Sequence, residues 1–292
     1  MKMMEESYVQ KTILVTGAGG QLGMELQSLA PSYLHYQFLF ARSDLPIENF
    51  ELVKNYFEQQ QIDVCINCAA YTAVDKAESE EELAYLVNAA AVGNLAKICG
   101  QHKATFIHIS TDYVYDGTAQ TPYSEEHGIS PINVYGSSKL KGEDLALNYN
   151  SASIIIRTSW LYSSFRHNFV KTMVKLLTER PEVNVVADQF GCPTYAGDLA
   201  LVIMKIIDYG EFPGGIFNYA NAGVTSWYEF ALAIKEYIKA IGIVHPVPSS
   251  EYPTAAKRPN YSVLDTTKLK NLLGLDIPLW KTSLQTCLKL LV

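Results

Sequence analysis

Short, continuously apolar segments alternate with longer helical segments through the first half of the sequence. The apolar segments lie at residues 12–16, 36–41, 63–68, 104–110 and 153–158. The helical segments between them lie at residues 21–30, 47–60, 78–100 and 135–150. Strands that are apolar throughout are typical of a parallel sheet covered by helices on both faces. The alternation therefore predicts an α/β fold with a doubly wound parallel sheet.

Three glycines follow the first apolar segment at intervals of three residues. They are Gly17, Gly20 and Gly23, in the sequence TGAGGQLG between the first strand and the first helix. Bare backbone N–H groups at a helix N-terminus bind phosphate, and glycines let the phosphate approach closely. An ordinary tight turn is the alternative. The position at the first strand-to-helix junction of an alternating pattern favours dinucleotide binding, as in a Rossmann-type fold.

The residues after the second strand bear on which dinucleotide binds. NAD-selective sites usually carry an acid there for the ribose 2′-OH, whereas this strand ends at Phe40-Ala and continues with Arg42 and Ser43. A guanidinium and a hydroxyl suit a 2′-phosphate. Asp44 and Leu45 then fit the place where a carboxylate accepts from the adenine amino group. We expect NADP(H) to be preferred over NAD(H); if Arg42 is only a solvated cation, both are used.

A tyrosine and a lysine lie four residues apart at the start of the fourth helix. Tyr135 and Lys139 therefore share one helix face. A nearby ammonium lowers the pKa of a phenol, so the pair can move a proton at a carbonyl while a nicotinamide moves a hydride. Ser110 and Thr111 end the fourth strand, where a parallel sheet meets its ligand, and either Ser110 or Thr111 is predicted to bond the substrate carbonyl. Chance spacing among 19 tyrosines is the alternative.

Together these motifs resemble the extended short-chain dehydrogenase/reductase superfamily. Longer blocks are similar to the dTDP-4-dehydrorhamnose reductase family: NCAAYTAVDKAE (67–78), STDYVY (110–115), NVYGSSK (133–139), RTSWLY (157–162) and DQFGCPT (188–194). The resemblance runs from about residue 11 almost to the end of the sequence. It implies NADPH-dependent reduction of the C4 keto group of dTDP-4-dehydro-L-rhamnose, which gives dTDP-L-rhamnose for surface polysaccharides.

The resemblance also implies roles for individual residues. The pyrophosphate of the cofactor is held by Gly20, Gln21 and Leu22, and the cofactor is lined past the third strand by Ala69, Ala70 and Tyr71. The substrate is contacted by Thr111, Asp112, Trp160 and Tyr135, with Tyr135 as proton donor and Lys139 as its partner.

Two further residues are substrate-binding candidates in the second half of the sequence. Thr194 lies in the DQFGCPT block, and Arg258 lies in a loop rich in proline and lysine. A guanidinium there can pair with the pyrophosphate of a nucleotide-sugar, although it can also be simply solvated. Asn168 and Lys171 are weaker candidates, and Trp227 and Trp280 are expected to belong to the core.

After Thr158 the alternation loosens, which suggests a second, smaller unit. Helical segments at 168–179, 197–209, 227–240 and 280–291 are separated by short extended pieces at 184–187 and 215–219. No repeat or flexible linker intervenes. We predict a loose lead-in at 1–10, a dinucleotide-binding domain at 11–158, and a mainly substrate-binding lobe at 159–292, some elements of which can return to the first domain.

Charge and cysteine content restrict the partners and the compartment. The net charge of −7 argues against a general nucleic-acid or anionic-membrane binder. An odd, scattered set of five cysteines suits a reducing cytoplasm, and no apolar run approaches the ~18 residues of a membrane span. We expect a cytoplasmic protein without nucleic-acid or membrane partners, and leave a homodimer open. Some family members bind a bridging metal through acids; Glu25 matches one position but Gly197 replaces another acid, so no metal is predicted.

Two other functions compete with the reductase. The same chemistry can act on another nucleotide-4-ketosugar, because pocket residues decide the substrate. Alternatively, the chain is a non-catalytic regulatory subunit, like the related branch that regulates methionine adenosyltransferase. The presence of Thr111, Tyr135 and Lys139 together argues against the second alternative.

Overall fold

The computed structural model describes residues 10–291, so the predicted lead-in at 1–10 lies almost wholly outside the described residues. The strands are β1 (Lys11–Thr16), β2 (Tyr36–Phe40), β3 (Val64–Asn67), β4 (Thr105–Thr111), β5 (Ile154–Thr158), β6 (Leu161–Tyr162), β7 (Glu182–Val186), β8 (Phe190–Gly191), β9 (Thr194–Tyr195), β10 (Gly215–Asn218), β11 (Thr225–Ser226) and β12 (Ile243–Val247). The helices are α1 (Gln21–Leu29), α2 (Phe50–Gln59), α3 (Val74–Ala77), α4 (Glu81–Tyr85), α5 (Ala91–His102), α6 (Val134–Tyr149), α7 (Phe169–Glu179), α8 (Ala196–Asp208), α9 (Trp227–Ile238), α10 (Thr267–Leu273) and α11 (Trp280–Leu288).

Six parallel strands form the central sheet, in the order β10-β5-β4-β3-β1-β2. The chain runs outward from β1 to β2 and then returns past β1 to β3, so the winding direction reverses at β1. In open α/β sheets, ligands bind outside the carboxyl ends of the strands at such a reversal. The predicted doubly wound parallel sheet is confirmed.

Helices cover both faces of the sheet, which explains why its strands are apolar throughout. Successive residues of β1 point to opposite faces of the sheet. Ile13 packs with α1 and α8, whereas Leu14 packs with α2 and α5. Both side chains are fully buried. The same alternation places Cys65 and Cys68 against opposite faces, as a strand requires for residues three apart, and both are free thiols.

The second lobe has its own apolar core between α7, α9, α11 and the paired strands β7 and β12. Phe230 and Trp280 meet edge-on in this core. Three elements that follow Thr158 in sequence lie in the first lobe instead. Strand β10 pairs with β5 as an edge of the central sheet, α8 packs on one sheet face, and α10 packs in the same apolar cluster as α8.

One helix, Glu81–His102, is long and apolar enough to cross a membrane by length and composition alone. A little over half of its most apolar window, 56%, is buried inside the protein, where α5 packs on the central sheet. A buried core helix can meet the same two criteria of length and composition. Between α4 and α5 the helix contains one turn of π-helix, Leu86–Ala90, a feature that often marks a functional position.

Candidate functional site

A cavity of about 1070 Å³ opens at the carboxyl ends of the central strands, and we call it the first cavity. Most of the residues predicted from sequence line it: Gly17, Gly20, Gln21, Leu22, Gly23, Arg42, Ser43, Leu45, Ala69, Ala70, Tyr71, Ser110, Thr111, Asp112, Tyr135, Lys139 and Trp160. Asp44, Thr194 and Arg258 are not among its lining residues. Segments far apart in sequence therefore converge on one cleft.

The glycine loop forms the floor of the first cavity. Gly17 has φ +61°, and a Cβ there would lie 2.5 Å from the backbone N of Ala69, so a side chain is excluded. A Cβ on Gly23 would lie 2.5 Å from Cα of Ala18. Helix α1 starts behind Gly20 without a side-chain cap or an acid in its first turn. Its first N–H groups are therefore available to an anion.

The end of strand β2 borders the same loop. Arg42 and Ser43 are exposed at the cavity, and Arg42 Nη2 donates to Gln27 Oε1 at 2.8 Å. Asp44 Oδ1 accepts from the backbone N of Arg42 at 2.7 Å, so this carboxylate closes the turn after β2. A contact of Asp44 with adenine stays a prediction.

The segment after β3 is fixed by Asn88, which lies in the π-helical turn. Asn88 is fully buried; its Oδ1 accepts from the backbone N of Tyr71 at 2.8 Å, and its Nδ2 donates to the Tyr71 carbonyl at 3.1 Å. Nδ2 also donates to Ser138 Oγ at 3.0 Å. Asn88 thus bonds the backbone next to the site. The amide holds the segment 69–71 against the helix that carries Tyr135.

Thr111, Asp112 and Tyr135 meet at the end of β4. Thr111 Oγ1 donates to Asp112 Oδ1 at 3.0 Å, and the Tyr135 hydroxyl lies close to Thr111. A Cβ on Gly136 would nearly overlap the Tyr113 carbonyl, so α6 packs tightly on the turn after β4. The close approach of α6 brings Tyr135 within reach of Thr111.

Burial dominates the proton affinities of this group. It raises the pKa of Tyr135 to about 12; the Thr111 hydrogen bond opposes this effect and the negative charge of Asp112 adds to it. Burial also raises the pKa of Asp112 to about 6, against hydrogen bonds from the Ser262 and Thr111 hydroxyls. The second carboxylate oxygen of Asp112 is buried and has no hydrogen-bond partner among the described residues.

Lys139 does not lower the pKa of Tyr135 as the sequence argument expected. Its Nζ donates to the Ile109 carbonyl at 2.6 Å and lies 3.3 Å from His108 Nε2. Burial lowers the pKa of Lys139 to about 8, partly offset by the carboxylate of Glu143. The ammonium is directed at the end of β4, so it does not offset the burial that raises the pKa of the phenol.

Behind Lys139 lies a chain of buried polar side chains that the sequence argument missed. His108 Nδ1 is 3.0 Å from Asn67 Nδ2, and Thr16 Oγ1 donates to Asn67 Oδ1 at 2.6 Å. Burial, and secondarily the charge of Lys139, lower the pKa of His108 well below its ordinary value. The signal in the sequence was a histidine inside an otherwise apolar strand.

A buried ion pair stands beside this chain. Arg157 Nη2 lies 2.6 Å from Glu143 Oε2, and Arg157 Nη1 donates to the Tyr115 hydroxyl at 2.9 Å. Ser110 Oγ donates to the same carboxylate. Ser110 therefore serves the structural pair, which leaves Thr111 as the strand-end hydroxyl beside Tyr135.

Trp160 and Trp227 form a stacked pair, and Trp160 lines the first cavity. Trp227 also lines a second cavity, of about 730 Å³, between α7, β7 and the loop that carries Arg258. Trp227 packs against the apolar core of the second lobe, as expected, and also lines the second cavity; Trp280 is a buried core residue. A tryptophan at the start of an amphipathic helix gave no signal that its ring faces a cleft.

Thr194 lies in the protein interior, whereas Arg258 lies at the second cavity. Thr194 is fully buried, and its hydroxyl accepts from Thr158 Oγ1 at 3.2 Å. Arg258 lines the second cavity and forms a two-point ion pair with Asp75, with N–O distances of 2.9 and 2.7 Å. This pairing lowers the pKa of Asp75. Sequence reasoning missed Asp75, although it lies in the block TAVDKAE.

Within residues 10–291, no three His, Cys, Asp or Glu side chains are grouped so as to hold a metal ion. Glu25 accepts from Ser163 Oγ at 2.5 Å, and Asp198 accepts from Asn221 Nδ2 at 2.7 Å. Both carboxylates are thus engaged in bonds between elements.

The sheet, the uncapped glycine loop and the Thr111, Tyr135 and Lys139 group define a Rossmann-type protein of the short-chain dehydrogenase/reductase kind. The family described as "RmlD substrate binding domain" matches residues 11–292. The chain belongs to the dTDP-4-dehydrorhamnose reductase family.

Curated relatives and solved structures agree over nearly the whole length. A dTDP-4-dehydrorhamnose reductase of Aggregatibacter actinomycetemcomitans is 40% identical, covering 94% of this chain and 97% of the relative. A crystal structure of such a reductase from Clostridium acetobutylicum is 40% identical, with a TM-score of 0.92, and covers 96% of this chain and 99% of that one. A structure from Bacillus anthracis, in complex with NADP, is 39% identical with a TM-score of 0.92 and covers 96% and 99%.

Proposed function

We propose that the protein is a cytoplasmic NADPH-dependent reductase that converts dTDP-4-dehydro-L-rhamnose into dTDP-L-rhamnose. The observation that carries this proposal is the convergence of Thr111, Tyr135 and Lys139 on the same cavity as the glycine loop. Relatives that are 40% and 38% identical, from Aggregatibacter actinomycetemcomitans and Escherichia coli, are named dTDP-4-dehydrorhamnose reductases.

The residues present fit a nicotinamide dinucleotide. Gly17 and Gly23 leave no room for side chains, and the N-terminus of α1 offers N–H groups to a pyrophosphate. Arg42 and Ser43 stand where the ribose 2′ substituent is read, which supports a preference for NADP(H) over NAD(H). When bound, the reduced nicotinamide supplies a hydride.

Tyr135 supplies the proton. A pKa raised to about 12 keeps the phenol protonated at neutral pH, so the hydroxyl can donate to the oxygen that becomes an alcohol. Thr111 lies beside Tyr135 and can hold the same carbonyl oxygen. Donation by a neutral phenol suits the reductive direction, and no phenolate is needed to start it.

Lys139 holds the cofactor side of the site. An ammonium has three N–H donors; one is directed at the Ile109 carbonyl, and His108 Nε2 lies 3.3 Å from Nζ. A remaining N–H finds no acceptor among the hydrogen bonds of the described residues, and a ribose hydroxyl of the cofactor suits it. Lys139 therefore orients the cofactor relative to Tyr135.

The two cavities suit the two ends of a nucleotide-sugar. The sugar would lie against Trp160 and near Asp112, because an indole face suits the apolar side of a 6-deoxysugar. The nucleotide would extend into the second cavity, where Arg258 can attract the pyrophosphate and apolar side chains such as Phe169 can pack on the base. Thr194 would act indirectly, through its contact with Thr158.

The test is an assay of reduced-nicotinamide consumption with dTDP-4-dehydro-L-rhamnose, with the sugar product identified by mass spectrometry. We expect turnover with NADPH, slower turnover with NADH, and dTDP-L-rhamnose as product. A faster reaction with another nucleotide-4-ketosugar would assign a different substrate to the same chemistry. Cofactor binding without turnover of any ketosugar would instead favour a regulatory role.

A further inference from the structure

A second arginine approaches the glycine loop from the other lobe. Arg166, in the loop between β6 and α7, donates from Nε to the Gly19 carbonyl and lines the first cavity. A Cβ placed on Gly19 would lie 3.2 Å from Arg166 Nη2 and 4.0 Å from Arg42 Cδ. The two arginine side chains therefore border the same glycine, one from each lobe.

Among residues 10–291, neither guanidinium has a carboxylate partner. The ion pairs within residues 10–291 involve neither Arg42 nor Arg166, and Arg42 donates to the uncharged amide of Gln27. In a chain with a net charge of −7, two arginines held side by side without an acid leave a local positive charge. A dianionic group that enters the first cavity beside Gly19 would meet both of them.

The backbone of Arg166 is held in an unfavourable conformation. Its φ is +57°, in the left-handed region that favours glycine or asparagine. The loop is fixed on α1 by two further contacts: Asn168 Nδ2 donates to Gln21 Oε1 at 2.9 Å, and Gln21 Nε2 donates to the Leu161 carbonyl at 3.4 Å. Strained positions that the surrounding structure holds in place are concentrated at binding sites.

We propose that Arg166 is a specificity-determining residue for the cofactor, and that with Arg42 it clamps the 2′-phosphate of NADP(H). The clamp rests on the proposed cofactor preference and deepens it, because half of it comes from the substrate-binding lobe. The end of β2 is where the ribose 2′ position is read, and Arg166 lies across Gly19 from that point.

The test measures equilibrium binding without any sugar. Arg166→Asn removes the guanidinium and tolerates the left-handed φ, Arg166→Lys keeps the charge, and Arg180→Asn removes an exposed arginine outside the first cavity. Each protein is titrated with NADPH and NADH, and with adenosine 2′,5′-bisphosphate and adenosine 5′-monophosphate. Thermal unfolding checks that each variant is folded.

For Arg166→Asn we expect Kd to rise about tenfold or more for NADPH and the bisphosphate, and less than about twofold for NADH and the monophosphate. Arg166→Lys should recover part of the loss, and Arg180→Asn should bind as the wild type. Equal weakening of all four ligands, or no change in any, would overturn the clamp.

The outcomes separate this inference from the proposed function. A wild-type protein that binds NADPH and NADH equally well would overturn both the cofactor preference and the clamp. A wild-type preference that survives in Arg166→Asn would overturn the clamp alone. Since ketosugar turnover does not enter these titrations, failure of the reductase assay would leave a 2′-phosphate-specific loss standing as support for the clamp.

Discussion

The indole rings of Trp160 and Trp227 are stacked, with their centroids 3.5 Å apart and their planes 7° from parallel. Trp160 has φ +47° and lines the first cavity, whereas Trp227 lines the second. A Cβ on Gly191 would lie 2.6 Å from the Trp160 ring, so the pair is enclosed on that side as well. The stack is the partition between the two cavities.

Removing the Trp227 ring from this stack should impair the reaction with the nucleotide-sugar. For Trp227→Ala we expect kcat/KM for the nucleotide-sugar to fall about three- to tenfold, the scale of one aromatic pair, with the Kd of NADPH unchanged. Steady-state kinetics and a cofactor titration measure the two quantities. An unchanged kcat/KM would show that Trp160 keeps its position without Trp227.

Tyr135→Phe should bind NADPH normally and lose roughly 10²- to 10⁴-fold in kcat, because only the transferable proton is removed. Tyr149→Phe, at the exposed opposite end of α6, is the matched control and should turn over as the wild type. Single-turnover kinetics of the two variants make the comparison. Near-normal turnover by Tyr135→Phe would assign the proton to another group.

Asp112 should make the unfolding free energy depend on pH. Its pKa is raised in the folded protein to about 6, so the folded state binds a proton more tightly than the unfolded chain. The contribution of Asp112 to the free energy of unfolding is therefore greatest at low pH and is lost as pH rises through about 6. Two pKa units correspond to about 2–3 kcal/mol.

Asp112→Asn removes this titration. We expect the variant to gain stability over the wild type at about pH 8, by more than at about pH 5. Urea unfolding at both pH values provides the measurement. A difference that is the same at both pH values would mean that Asp112 titrates normally.

Arg258→Ala should raise KM for the nucleotide-sugar about tenfold or more, as for loss of a charge-assisted hydrogen bond, with the Kd of NADPH unchanged. Arg180→Ala controls for the lost positive charge. Asp75→Asn should change KM less, because Arg258 is retained, although the loop also loses the ionic part of its anchor. If the sugar nucleotide binds Arg258→Ala as tightly as the wild type, the second cavity is not its phosphate site.

Local sequence pattern predicted the sheet and the glycine loop because short-range rules govern both. The strand periodicity marked β1 to β5 within one or two residues, and the spacing of Gly17, Gly20 and Gly23 marked the turn. A return of some later elements to the first domain was predicted, but not that β10 pairs with β5, because an apolar run of four residues does not say which strand it pairs with. Tertiary contacts decide this.

The sequence predicted that Lys139 belongs to the site, but it did not predict what the ammonium of Lys139 contacts. Four-residue spacing places Lys139 and Tyr135 on one helix face, but only the packing of α6 on β4 directs the ammonium to the Ile109 carbonyl. The ion pair of Arg258 with Asp75 joins residues 183 positions apart, which no local pattern reveals. Arg166 lay in a loop without periodicity, so its contact with Gly19 was invisible.

The late position of β10 in the chain determines when this protein can fold. During synthesis, β5 emerges long before its outer neighbour, and until residues 215–218 follow, its edge remains open to pairing with other chains. The sheet face on which α8 packs likewise lacks that helix until residue 208 has been synthesised. A fragment that stops at residue 158 would carry the whole glycine loop and the Tyr135 helix, yet expose both surfaces. Such a fragment would aggregate rather than bind a nucleotide, so nascent-chain folding is completed only after both lobes have been translated.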